Sequence, residues 1–146
     1  MPGRIFVGAL LLFVAVFGAA LFWFQTYAYY ERVTGLGSIA VSGREIPVRD
    51  YQGIDATSSG LKLRGCFTAD PAAFDGLPRA EAAEPLTPPF WFDCFPTDRL
   101  AHDLQAGTAT AYLAATEEFD GIDRIVAVYP DGRAFQWRQL NERFAN

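Results

Sequence analysis

One histidine, two cysteines and a run of acids are the residues best placed to do chemistry in this sequence. His102 is followed directly by Asp103. A general base oriented by a carboxylate needs the two groups to face each other, and adjacent residues on a helix do not. No nucleophile motif such as G-x-S-x-G accompanies the pair, so His102 reads as a polar position on a solvated helix. Glu117, Glu118, Asp120 and Asp123 offer oxygen ligands for a hard cation, but their spacing matches no calcium loop. They read as a solvated turn built around Asp120-Gly121.

Cys66 and Cys94 are 28 positions apart, outside any C-x-x-C or Cys/His cluster. In an oxidising compartment they form one disulfide; the other reading is two buried free thiols. A loop of that length closed by a disulfide stabilises by about 3–4 kcal/mol in the chain-entropy model. A structural zinc site wants four N or S ligands, and His102 is the sole histidine. A thiol–disulfide enzyme needs a reason for a lowered thiol pKa, which this spacing does not supply. The sequence has no phosphate loop, dinucleotide fingerprint, haem-attachment motif or zinc-protease helix. No catalytic residue, metal ligand or cofactor is therefore expected. What remains is aromatic surface. Phe90-Trp91-Phe92 with Phe95 is a dense patch in which Trp91 has the opposite strand parity to its two neighbours. Trp91 and, on the last strand, Trp137 are the candidate partner contacts.

The element that must carry these residues to their place of work is the first one. Residues 5–24 form an unbroken apolar run of 20 without a charge. At about 1.5 Å per residue such a helix crosses the ~30 Å hydrocarbon core of a bilayer. A cleaved secretory signal is the competing reading, because Gly18-Ala19-Ala20 offers small residues to a signal peptidase. The apolar run continues past them, however, and is longer than an ordinary signal core. Trp23, Tyr27 and Tyr30 follow at helical spacing and read as an aromatic collar at the membrane interface. Arg4 before the span and no acid beside it place the N-terminus in the cytoplasm and the rest outside, which in a Gram-negative cell is the periplasm.

The 146 residues thus divide into 1–32, comprising the cytoplasmic terminus, span and collar, and a soluble domain of 33–146. Beyond Arg32 the chain has 16 acidic and 10 basic residues. That excess argues against nucleic acid, whose phosphates require clustered Lys and Arg. Eleven of the 12 basic residues are arginine, which reads as a GC-rich bacterial genome and not as function.

Along the domain, 38–41 and 45–48 read as a hairpin around Gly43, 51–56 and 61–67 as strands, and 57–60 as a turn. Residues 70–89 form a Pro/Ala-rich loop with one helical turn at 71–74. Residues 90–95 (FWFDCF) read as a strand. Thr97 caps a helix over 98–106 that stops at Gly107. Residues 108–116 read as a strand, and 124–129 pairs with 133–138 across Pro130-Asp131-Gly132. The tail from Gln139 reads as a short helix or as disordered. The fold class expected is α+β: a transmembrane helix, then a small, mostly antiparallel sheet with one or two short helices. Aromatic-x-Gly-Ile-Asp recurs at 51–55 and 119–123, too short an echo to define a repeat.

The segments FQTYAYYERV, GIDATSSGLKLRGCF, FWFDCF and GIDRIVAVYPDGRAFQW together resemble a family of short single-pass membrane-anchored proteins of alphaproteobacteria. The resemblance brings no activity with it. Some members carry a histidine-kinase label that this sequence does not support, because a domain of about 114 residues, acidic overall and without a glycine-rich nucleotide site, cannot bind ATP as a kinase must. The resemblance also implies a Cys-containing tail, whereas 139–146 has no cysteine. The function expected is a non-enzymatic accessory or assembly protein whose partners are the lipid bilayer and another membrane protein. The alternative is a small-ligand sensor with its pocket between the sheet and the 98–106 helix, and the third reading is a thiol–disulfide protein.

Overall fold

The strongest strand signal in the sequence forms the middle of a sheet. In the computed structural model, which describes residues 2–28, 30–56 and 59–141, Ile122–Val128 (β7) and Arg133–Leu140 (β8) pair antiparallel in unbroken register from Ile122↔Leu140 to Val128↔Ala134. The turn between them is closed by Tyr129, whose N–H donates to Arg133 O and whose C=O accepts from Gly132 N. Gly132 sits at φ 95°, where a side chain would be strained. Asp131 accepts from the Arg133 N–H and completes the turn.

The chain divides into two compact units, Met1–Tyr30 and Glu31–Asn146. The first is α1 (Gly3–Trp23), continued by a π-helical turn over Phe24–Ala28. No side chain of α1 is buried, and Gly3–Ala28 is long and apolar enough to cross a membrane. The helical face expected to join Trp23, Tyr27 and Tyr30 does not form. Trp23 ends α1 and Tyr27 lies in the π turn, but Tyr30 already belongs to β1 (Tyr30–Thr34). The i, i+4, i+7 rule holds only while α-helical geometry lasts, and here it is lost at Phe24.

The second unit is built on a six-stranded sheet in the order β1-β4-β5-β8-β7-β6. Here β4 is Arg49–Ala56, β5 is Arg64–Thr68 and β6 is Thr110–Phe119. β2 (Ser38–Val41) and β3 (Arg44–Pro47) pair as the hairpin the sequence predicts and form a separate two-stranded sheet. The α+β class holds, with one short α-helix, α2 (Thr97–Ala106). The aromatic-Gly-Ile-Asp echo falls within β4 in one case and across the β6–β7 turn in the other, so the two copies are not equivalent.

Strand register sorts the sheet into two faces. On one, Phe67, Val126, Val128 and Ala134 meet Ile39, Val41 and Ile46 of the β2–β3 hairpin, and Phe74 of the 3-10 helix Pro71–Phe74. Asp70 caps that helical turn by accepting from Ala72 N. On the same face Gly53, Gly65 and Gln136 lie in one cross-strand row. A β-bulge between Arg49 and Gln52, with Asp50 at φ 54°, turns Tyr51 over the two glycines. A Cβ at Gly65 would come within 2.5 Å of the Tyr51 hydroxyl oxygen. Glycine is needed there because the ring occupies the space a side chain would fill.

The opposite face carries the row Ile54, Arg64, Trp137 and Ile125. Phe95 packs edge-on against Phe135 and Trp137, with ring centroids 5.8 and 6.0 Å away. Helix α2 covers this face through Leu100, which is fully buried. It ends as expected at Gly107, which takes the left-handed conformation at φ 80°. Its start differs: Thr97 is the first helical residue, not the cap, and its hydroxyl donates to Leu86 O.

Three further expectations are corrected. Residues 61–63 are not strand; Gly60–Lys62 is a 3-10 helix opened by Ser59, whose hydroxyl accepts from Leu61 N. Of the 57–60 turn, 57 and 58 lie outside the described residues, as do 142–146 of the tail. Residues 139 and 140 of that tail extend β8. Residues 90–95 are a turn followed by irregular chain, not a strand. Pro88, Pro89 and Pro96 remove ladder donors on both sides, and Phe92 and Phe95 bury themselves three residues apart, a spacing no strand allows on one face.

The Pro/Ala-rich segment is a pinned strap. Arg79 forms a bridge with Tyr112 on β6. Farther on, the Gln139 side chain donates to Ala82 O and accepts from Glu84 N. Leu86 O then accepts from the buried Arg64 guanidinium at 2.7 Å. The strap thus runs from the β6 edge across the Trp137 face to β5.

Candidate functional site

The two cysteines are joined. Cys66, in the middle of β5, and Cys94 form a disulfide with Cα atoms 6.3 Å apart. It fastens the segment after the strap to the sheet. Just before Cys94 the chain makes a tight turn in which Phe92 N–H donates to Pro89 O. Phe90 and Trp91 occupy its tip. Phe90 is 72% exposed, while Phe92 is buried at 5%. Trp91 is half-buried, and the Arg32 guanidinium stacks 4.7 Å from its ring centroid. A shallow cleft of about 150 Å³ opens beside it, bordered by Arg32, Gln52, Trp91 and Asp93.

Trp137 does not join Trp91 at the surface. It is completely buried, and its indole N–H donates to Gln139 Oε1 at 2.9 Å. The expectation that it contacts a partner is therefore corrected: its parity on β8 faces the strap and α2, not solvent. Leu100 and Asp103 are buried beneath the 98–106 helix. At the helix's C-terminal end an open groove of about 350 Å³ does lie between helix and sheet, bordered by Leu104 and Gln105 of α2, Thr110 and Ala111 of β6, and Arg79–Glu81 of the strap. Another of about 550 Å³ is bordered by Glu84, Thr116, Asp123 and Leu140.

Charged side chains inside the domain hold the fold together. Arg124 reaches Ala40 O of the hairpin at 2.6 Å, Gln136 Oε1 at 3.0 Å and both carboxylate oxygens of Glu118. Gln136 donates onward to the Tyr51 hydroxyl at 2.6 Å. Arg138 pairs with Glu118 and Asp55. Burial pushes the Glu118 carboxyl up, but the bonds and charges of Arg138 and Arg124 outweigh it and hold the group below its ordinary range. Burial raises the Tyr51 phenol. The rest of the acidic run closes the β6–β7 turn: Asp123 accepts from Glu117 N, and Glu117 accepts from Gly121 N. Among the described residues no cluster of His, Cys, Asp and Glu is arranged to hold a metal ion.

His102 and Asp103 do not diverge fully, but they lie in different surroundings. The His102 side chain is exposed, with Nδ1 3.7 Å from Asp103 Oδ1. Asp103 turns inward and accepts a 2.6 Å hydrogen bond from the Tyr129 hydroxyl, which ties α2 to the sheet. That bond, followed by the charge of Arg99, holds the Asp103 carboxyl below its usual range. Burial and the same bond push the Tyr129 phenol up to about 12. A raised phenol pKa stabilises the fold below the unfolded value near ~10, and that stability is lost as pH rises toward 12. Thermal unfolding of the detergent-solubilised protein should therefore show a midpoint that falls between pH 10 and 12. Tyr129→Phe should flatten that fall, leaving the part that belongs to Tyr51. An unchanged alkaline slope in the variant would remove Tyr129 from this role.

A model described as a family of unknown function (DUF6446) matches residues 36–146. The chain belongs to that family. The match takes in β2 through β8, the strap and the disulfide, and begins after α1 and β1. The family description attaches no enzyme activity to this domain. No curated protein and no solved structure matches the chain.

Proposed function

We propose that this protein is a non-enzymatic, membrane-anchored accessory or assembly protein that binds a membrane-protein partner through its span, its domain or both. The observation that carries the reading is the uncovered helix. Every described side chain of α1 is outside any packed core, so its apolar surface is complete only in lipid or against another helix. The domain supports the same reading. Its buried polar side chains, Arg64, Asp103, Arg124 and Gln136, are committed to contacts that hold strap, helix and hairpin to the sheet.

The setting we infer is a bacterial inner membrane with the N-terminus in the cytoplasm and the domain in the periplasm. Arg4 before the span supports the orientation, the disulfide supports an oxidising compartment, and the resemblance to alphaproteobacterial anchored proteins supports the cell type.

Mild-detergent purification of the full-length protein from its native membranes, with mass spectrometry of what accompanies it, tests this. A stoichiometric membrane-protein complex is expected. A lone protein carrying a small molecule would overturn the reading in favour of a ligand-binding module. The groove of about 550 Å³ beside the strap is within the size range of small-molecule sites and is where that molecule would be sought.

A further inference from the structure

We propose that the turn at residues 89–92 enters the lipid interface, with Phe90 inserted among headgroups and upper acyl chains as a second membrane contact of the domain. This rests on the reading that Gly3–Ala28 spans a bilayer.

The first observation is the exposure of Phe90. At 72% it exceeds the other exposed large apolar residues of the domain, Phe119 at 48%, Leu140 at 42% and Leu36 at 38%. Exposure of an apolar residue by itself needs no explanation, but this one is presented by a stiffened support. Pro88 and Pro89 fix their own φ angles. The Phe92 N–H to Pro89 O bond closes the turn, Phe92 is buried, and Cys94 is bonded to the central strand β5. Such a tip loses little conformational freedom when it inserts.

The second observation is where the turn is fastened. Trp91 stacks against Arg32, and Arg32 lies four residues beyond Ala28, the end of the apolar helix. Four extended residues reach at most about 14 Å. Covalent connection alone therefore limits how far Arg32, to which the turn is fastened, can lie from the end of the apolar helix.

The third is chemistry. Phe and Trp favour the interfacial zone, and an arginine beside them can meet a lipid phosphate while its stem stays among apolar groups. The domain is acidic, with 16 acids against 10 bases beyond Arg32, and Asp93 is exposed beside the turn. Attraction to anionic lipid is therefore not what holds the turn in place. Zwitterionic bilayers suffice, and the contact is insensitive to salt.

The test uses the full-length protein in phosphatidylcholine nanodiscs, with a photoreactive benzoylphenylalanine replacing Phe90, Phe13 in the span or Phe119 at the β6–β7 turn. None of the three side chains is buried, so each variant retains the core. After illumination, lipid adducts are counted by mass spectrometry. Positions 90 and 13 should give yields within about twofold of each other and at least about tenfold above position 119, unchanged in high salt. Lipid adducts at 13 but not at 90 would overturn the inference and leave the anchor standing. Adducts at neither would sink the anchor and this inference with it. Adducts from 90 to a protein in native membranes, in place of lipid, would also overturn it and mark the turn as a protein contact.

Discussion

Replacing Trp137 with alanine should lower the stability of the domain by about 3–5 kcal/mol, the range for truncating a large buried aromatic. The residue has no solvent exposure. Its ring meets Phe95 edge-on at 6.0 Å, and its cross-strand neighbours are Arg64 and Ile125. Alanine would leave a cavity between sheet and strap that the disulfide and the prolines prevent from collapsing. The loss would also release Gln139, which Trp137 holds through its indole N–H while Gln139 holds Ala82 and Glu84. Strap and core should therefore loosen together. Because small domains have only about 5–15 kcal/mol in total, the variant should unfold at markedly lower denaturant. Urea titration of the full-length protein in detergent, followed by circular dichroism, measures this. Trp137→Phe should lose much less, since most of the volume is kept and only the hydrogen bond goes. A loss below about 1 kcal/mol for Trp137→Ala would show that the ring does not fill this core.

Removing the disulfide should lower stability by about 3–4 kcal/mol, the loop-closure entropy of a 28-residue ring. Cys66→Ala with Cys94→Ala is the cleaner experiment, since alanine is a small apolar replacement at the buried Cys66, whose cross-strand neighbours are Gln52 and Phe135. The wild-type protein in reductant should show the same shift, and the double variant should not respond to reductant at all. The effect should be sharpest at the 89–92 turn, because Cys94 is its nearest covalent link to β5. Protease cleavage near Phe90 should become faster in the variant before global unfolding does. Equal urea midpoints for oxidised and reduced protein would mean that the bond contributes nothing to holding the strap.

Local chemistry made much of this fold readable. β7 and β8 are rich in β-branched and aromatic residues on either side of Pro-Asp-Gly, and that combination has few other solutions. Gly107 after an acid-led helix and Asp70 before Pro71 mark their elements in the same local way. Residues 90–95 misled because hydrophobicity alone cannot separate a buried strand from a buried loop. The three flanking prolines were the better guide. Trp137 and Trp91 could not be told apart by type. Parity on a strand separates inside from outside only when the covering layer is known, and the strap covering Trp137 is held by Gln139, more than fifty residues away in sequence. The candidate site was legible in its parts, the cysteines and Trp91. The contact that assembles them, Arg32 on Trp91, joins the first strand to the end of the strap, and no local pattern encodes it.

The place of β8 in the sheet has a consequence for how the protein is made. Although it is the last strand among the described residues, it lies between β5 and β7. During synthesis β4 and β5 exist early but present an unpaired edge, and β6 and β7 likewise wait for a partner. Exposed edges of this kind recruit other chains. Only when β8 has been made can the two halves close over a pair of long-range ladders, a topology associated with slow folding. A nascent or C-terminally clipped chain should accordingly be a client of holding chaperones and quality-control proteases, and cellular abundance should fall steeply with loss of even the last strand.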